Sequence, residues 1–276
     1  MAGSKWFSVM YFNCRSILPK LDELAALCSA NNPDIVCLVE TWLCDDVSNR
    51  EVCIPNYSIV RCDRNRRGGG VAIFIHNSIR YNILVSGPAN LELLVVSLSR
   101  NNFKLCLGVF YRPPSSPNFI FDILCNTLFS IDQSHFSNFV IVGDFNVNFD
   151  SSHPLYPRLS EFMSSFSLSQ IVSSPTHFSY SGQPSLIDLV FVSNLSYFCT
   201  CSIIPKLANS DHLGLLVTLK HQHPSSTPMC RRQVWRYKHA DFAKANDMLC
   251  DIEPDDLLDP TDIQTSWTHF KTTFWM

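Results

Sequence analysis

Residues 139–146 read FVIVGDFN, an apolar run that ends abruptly in a carboxylate and an amide. β-Branched and aromatic side chains pack well on a pleated surface, so residues 139–142 are predicted to form a buried strand. Asp144 and Asn146 stand two residues apart, a spacing that in extended chain turns both side chains to one side. Taken alone, a Gly-Asp at a strand end is explained by turn formation. The same design recurs along the chain, however. Residues 9–13 (VMYFN) end in Asn13, residues 34–40 (DIVCLVE) in Glu40 and residues 105–111 (LCLGVFY) in Tyr111. Residues 185–193 (SLIDLVFVS) enclose Asp188, and Ser210-Asp211-His212 precedes a last apolar strand at 213–219.

A carboxylate inside an apolar run costs several kcal/mol unless it is paired, so Asp188 needs a partner. His212 is the natural candidate, because an aspartate fixes the tautomer of an imidazole and raises its basicity. In α/β sheets, ligands and catalysis gather outside the carboxyl ends of strands, where these residues fall. The set is Asn, Glu, Tyr, Asp, Asn, Asp, Asp and His. That oxygen-rich chemistry suits a hard divalent cation such as Mg2+, not zinc.

A length of 276 residues with 46% hydrophobic content accommodates one large domain, or one domain with an appendage. The charged fraction is 16% against a usual value of about 25%. Net charge is −3, with pI near 6.3 and mean hydropathy +0.06, which argues against gripping nucleic acid by bulk charge. Local charge offers an alternative: Arg61, Arg64, Arg66 and Arg67 precede Gly68-Gly69-Gly70. A solvated hairpin and a loop that contacts phosphate, through Arg66 and Arg67 above all, fit that cluster equally well.

The 12 cysteines are scattered among apolar neighbours and include no C-x-x-C pair, so they read as small buried hydrophobes with free thiols. Residues 1–12 enter a strand without a signal-peptide pattern, and no apolar run approaches the ~18 residues that span a bilayer. The expectation is a reducing intracellular compartment, nucleus or cytoplasm, with no membrane partner.

Leu18, Leu21, Leu24, Ala25 and Cys28 share one face of a predicted helix over 17–30, with Lys20, Asp22 and Glu23 opposite. Strands are predicted at 57–61, 70–76, 80–85 and 91–99, and further helices near 118–131 and 155–168. Strands interspersed with helices indicate an α/β layered protein. Residues 221–233 (HQHPSSTPMCRRQ) are loop-like, and two short amphipathic helices are expected at 239–250 and 261–275, flanking an acidic stretch.

The ordered blocks Asn13, Glu40-Thr41-Trp42-Leu43, Tyr111-Arg112-Pro113-Pro114, Gly143-Asp144-Phe145-Asn146, Ile187-Asp188 and Ser210-Asp211-His212 resemble the endonuclease/exonuclease/phosphatase superfamily. The wordings ETWL, YRPP and SLIDLVF resemble most the endonuclease domain of non-LTR, LINE-type retrotransposons. The resemblance covers about residues 5–220. It implies a four-layer αββα sandwich of two mixed β-sheets flanked by helices, spanning 1–220. Residues 221–276 would then be a connector that stops before any reverse transcriptase, the C-terminal neighbour in a full-length element.

The implied activity is Mg2+-dependent (or Mn2+-dependent) hydrolysis of a phosphodiester, nicking double-stranded target DNA for retrotransposition. Glu40, Asn13 and Asp211 would hold the metal. Asp144 would orient or deprotonate water, Asn146 would bond a non-bridging oxygen and Tyr111 would contact the phosphate. His212, backed by Asp188, would act as base or donate as imidazolium, and the base role stays open between it and Asp144. Arg112 and His177 would contact substrate, the latter because relatives often carry a basic residue there. Two other readings remain: a phosphatase or deadenylase-like RNA exonuclease of the same superfamily, or a decayed relic that catalyses nothing.

Overall fold

The computed structural model describes residues 6–88, 91–100, 103–179, 182–220, 241–250 and 262–274. The chain divides into two compact units, Met1–Ser225 and Ser226–Met276. In the first unit, six strands form one sheet: β1 (Trp6–Asn13), β2 (Ile35–Val39), β3 (Tyr57–Cys62), β4 (Val71–His76), β11 (Phe198–Ile204) and β12 (Gly214–Lys220), in the order β11-β12-β1-β2-β4-β3. A second sheet contains β5 (Arg80–Ser86), β6 (Glu92–Arg100), β7 (Phe103–Tyr111), β8 (Asn138–Asp144), β9 (Ser169–Gln170) and β10 (Asp188–Val192), in the order β5-β6-β7-β8-β10-β9. Both sheets are mixed: β1 runs parallel to β2 and β7 to β8, while the other pairs are antiparallel.

The layering follows from period-two alternation in strands that are apolar on both faces. Val9 and Tyr11 of β1 point into the core between the sheets, where they join Val71 and Ile73 of β4 and Val109, Val142 and Val190 from the second sheet. Met10 and Phe12, one residue out of phase, pack with Leu24 and Cys28 of helix α1 (Leu21–Asn31). On the far side, Phe110, Phe139 and Phe191 pack with Phe121 and Leu124 of α2 (Ile120–Phe129) and with Leu159 and Phe162 of α3 (Tyr156–Ser165). The result is four layers: helix, sheet, sheet, helices. β5 and β11 occupy edges and are largely exposed, as edge strands with one free side often are.

Two local corrections have physical causes. The helix expected over 17–30 begins as a 3-10 turn at Leu18–Lys20, with Pro19 in it, and becomes α-helical only at Leu21. It ends at Asn32, whose left-handed conformation closes a bond from its N–H to the Cys28 carbonyl. Lys20, expected on the solvent face, is buried and donates from Nζ to the carbonyls of Cys14 and Arg15. Those carbonyls lie where the chain turns through positive φ at Arg15 and Ser16, and the ammonium satisfies them.

The second unit contains helices α4 (Phe242–Cys250) and α5 (Ile263–Phe274). The expected loop at 221–233 and the acidic stretch at 251–261 lie outside the described residues, as do positions 239, 240, 261 and 275 of the two expected helices. Among the described residues, no helix is long and apolar enough to cross a membrane.

Candidate active site

The site lies where the two sheets meet at one end. Asn13 closes β1 and Glu40 follows β2, while Tyr111 closes β7, Asp144 closes β8 and Asp188 opens β10. Within the second sheet, Asp144 is the register partner of both Tyr111 and Asp188. His212 arrives just ahead of β12, the antiparallel neighbour of β1. The positions expected from sequence are thus brought together by strand pairing across about 200 residues.

Side chains then bond across the seam. Asp188 is fully buried and both its oxygens are engaged: Tyr11 Oη donates to Oδ1 at 2.7 Å, and His212 Nδ1 lies 2.8 Å from Oδ2. Asn13 Nδ2 donates to Asp144 Oδ2 at 3.0 Å, and the Asn146 N–H donates to Asp144 Oδ1 at 2.9 Å. Glu40 accepts from the Gly69 N–H at 2.7 Å and from Trp42 Nε1, and its charge faces the Tyr111 hydroxyl. The turn after β2 is strained to make this possible: Glu40 and Trp42 have φ of 57° and 54°, and Asn146 has φ of 47°. Such conformations cost of order 1–3 kcal/mol each and collect at functional sites.

Electrostatics follow from burial. Removal from water, then the nearby charge of Asp188, push the Asp144 carboxyl well above the usual carboxylate range. Burial by itself would lower the His212 imidazole. The Asp188 charge and hydrogen bond, with help from Asp144 and Asp211, outweigh burial and raise it to about 9. Burial opposes ionisation of Asp211 too, yet the Arg15 hydrogen bond at 2.7 Å and the His212 charge leave its carboxyl below the ordinary value. Tyr11 is raised well above its ordinary value, first by burial and then by Asp188 and Asp144, so it stays a neutral donor.

Ligand atoms of Asp144, Asp188 and His212 fall within 4.8 Å of one another, as do those of His177, Asp211 and His212. The first group is knitted by hydrogen bonds, with no carboxylate oxygen of Asp188 left over. The buried Asn13 Oδ1 and Asp211 Oδ1, by contrast, have no hydrogen-bond partner among the described residues. Buried oxygens without donors are what a hard cation or its water would satisfy, so this donor set fits Mg2+. Glu40 belongs to neither group; Trp42 and Gly69 hold it at the adjoining strand end.

His177 is held beside His212 by a backbone bridge, and its ring lies 4.6 Å from the His212 ring. Arg66 and Arg67 are exposed on the loop whose Gly69 N–H holds Glu40. Arg66 pairs loosely with Asp46 at 3.7 Å. Arg61 and Arg64 of the same run are structural: Arg61 pairs with Asp63, and Arg64 binds buried Glu92 at 2.8 Å and the Gly68 carbonyl at 2.9 Å.

Arg112, expected to contact substrate, turns inward. It is 2% exposed and donates to the carbonyls of Ser116 and Asn146, so it shapes the loop that carries Asn146. Its own carbonyl accepts from Asn146 Nδ2 at 2.7 Å. The sequence reading missed Tyr11, Arg15 and Glu92. Tyr11 was within reach, since it stands two residues before Asn13 on the same strand face. Arg15 and Glu92 carry no local signal, because their partners, Asp211 and Arg64, are distant in sequence.

A model of the Endonuclease/Exonuclease/phosphatase family matches residues 10–212. No curated protein matches the chain by sequence. Solved structures share the fold at low identity. The AP endonuclease LMAP from Leishmania major superposes with a TM-score of 0.64 at 18% identity, covering 80% of this chain and 90% of that one. The endonuclease domain of TRAS1, a telomere-specific non-LTR retrotransposon, gives 0.63 at 15% identity, covering 79% and 99%. The 3'-5' exonuclease NExo from Neisseria meningitidis gives 0.62 at 17% identity, covering 78% and 100%.

Proposed function

Because the chain belongs to the Endonuclease/Exonuclease/phosphatase family, we propose that it is a Mg2+-dependent DNA endonuclease that nicks one strand of a double-stranded target, as a retrotransposon endonuclease does. The observation that carries this reading is the bonded set Tyr11–Asp188–His212 and Asn13–Asp144–Asn146, assembled from two sheets at one point. The ETWL, YRPP and SLIDLVF wordings support the retrotransposon branch over other members of the family.

Hydrolysis of a phosphodiester needs an aligned water, a stabilised pentacoordinate phosphorus and a neutralised leaving oxygen. Glu40, Asn13 and Asp211 would hold Mg2+, which when bound supplies positive charge to the phosphate oxygens. Asp144 orients the attacking water and accepts its proton in the ionised form, which burial leaves in the minority at neutral pH. Asn146 keeps Asp144 in place through its N–H and offers its side-chain amide to a non-bridging oxygen.

His212 carries a proton at neutral pH and donates it from Nε2 to the phosphate, while Asp188 fixes Nδ1. Tyr111, beside Glu40, would turn its single hydroxyl proton toward the phosphate. His177 and the exposed Arg66 and Arg67 lie along the flanks, where they meet the DNA backbone. Residues 221–276 serve as a connector outside the catalytic domain.

Supercoiled plasmid tests the reading. The full chain should convert it to open circles in Mg2+ and not in chelator, and Asp144→Ala should slow the conversion on the order of 100- to 1,000-fold. Cleavage confined to abasic sites, or release of nucleotides from 3' ends only, would move the substrate assignment to another branch of the family. Metal-independent nicking, or none, would overturn it.

A further inference from the structure

We propose that His177, Asp211 and His212 form a binding site for a zinc-class transition-metal ion, on the open side of the catalytic seam and sharing Asp211 with the Mg2+ set. Ligand atoms of the three lie within 4.8 Å of one another. His177 Nε2 is 3.6 Å from Asp211 Oδ2, and His212 Nε2 is 3.8 Å from Asp211 Oδ1. Ligands about 2 Å from a tetrahedral ion stand about 3.3 Å apart, so closing the set around a metal needs only small side-chain rotations.

Three features show that this is a prepared site and not a chance cluster. First, each imidazole has its Nδ1 engaged from behind: His212 by Asp188 Oδ2 at 2.8 Å, and His177 by Ser185 Oγ at 3.0 Å. Metal-binding histidines characteristically have the second nitrogen fixed in this way, which turns the other toward the ion. Second, Asp211 Oδ1 is buried without a hydrogen-bond partner among the described residues, although Oδ2 is held by Arg15 at 2.7 Å. One carboxylate oxygen is thus anchored and the other left for a ligand. His212 Nε2 also faces Asn13 Nδ2 at 3.4 Å, longer than a good hydrogen bond.

Third, the backbone fixes the three residues relative to one another. His177 bridges to both Ser185 and His212, the Phe178 N–H donates to the Asp211 carbonyl at 2.9 Å, and the Leu213 N–H donates to the Thr176 carbonyl at 2.8 Å. His177 and Asp211 keep side-chain exposures of 21% and 28%, so an ion can enter from solvent and retain a water. Two imidazoles and one carboxylate with an open position favour borderline ions such as Zn2+ over Mg2+. Occupancy would displace the proton from His212 Nε2, withdraw that nitrogen from the phosphate and compete with Mg2+ for Asp211, so Zn2+ would inhibit nicking. That consequence rests on the nuclease reading; the binding itself does not.

The test is metal binding by the full chain, without any nuclease assay. Zn2+ titrated by calorimetry should fill one more equivalent in wild type than in His177→Ala. Co2+ should give visible d–d absorption lacking sulfur charge transfer, present in wild type and absent from that variant. Equal stoichiometry and affinity in the two proteins would overturn the site, since any zinc then sits on thiols or elsewhere. Should His177→Ala fail to fold, Ser185→Ala decides, because it keeps all three ligands and frees only the His177 ring. It should bind Zn2+ about 10-fold more weakly, and unchanged affinity would overturn the proposal.

Discussion

At the scale of single residues, the site is governed by what burial and neighbouring charge do to the Asp144 carboxyl and the His212 imidazole. Asp144 and His212 both bind protons more tightly in the folded chain than their ordinary values would give, and His212 is raised to about 9. A group whose folded pKa is raised lends stability that is full below its unfolded pKa and is lost as pH rises through the folded one. For His212 that window runs from about 6.5 to about 9. In chelator, the melting temperature should therefore fall across this window, and His212→Gln should flatten the fall. A melting curve independent of pH between those limits would show that Asp188 does not hold the imidazolium. Asp188→Asn should act in the same direction, because it removes the charge and leaves the shape.

At the scale of elements, strands deliver the site and glycines let them approach. Gly143 of β8 is packed so closely on Phe110 that an added Cβ would overlap the Phe110 carbonyl. Gly143→Ala should cost more than about 2 kcal/mol by urea unfolding, although the change is one methyl group. A variant as stable as wild type would mean that β7 and β8 are spaced more loosely than described.

The strands were legible from sequence because each is an apolar run ended by a polar residue, and β2, β8 and β10 are buried along their whole length. The packing role of Lys20 and the inward turn of Arg112 were not legible. Both depend on carbonyls left unsatisfied by a particular loop path, and a sequence does not display that path. The arginine loop was half legible: charge alone could not separate Arg61 and Arg64, which pair internally, from Arg66 and Arg67, which face solvent. Replacing Arg66 and Arg67 by Ala should weaken DNA binding and lower the slope of log affinity against log salt by up to about two phosphate contacts. An unchanged slope would return the loop to a solvated hairpin.

At the scale of the whole molecule, the boundary between units at Ser225 lies beyond every position proposed as catalytic, the last of which is His212. Removing residues 226–276 should leave melting of the first unit and nicking intact, and loss of either would show that the tail completes the domain. The central claim is that residues from two sheets act as one catalytic unit, and a double-mutant cycle measures this most directly. Single-turnover nicking rates in Mg2+ would be compared for wild type, Asp144→Ala, His212→Ala and the double variant. Each single change should cost on the order of 100- to 1,000-fold. The double should be little slower than the slower single, because groups that serve one transition state are not additive. Losses that multiply, or a single variant close to wild type, would contradict the account.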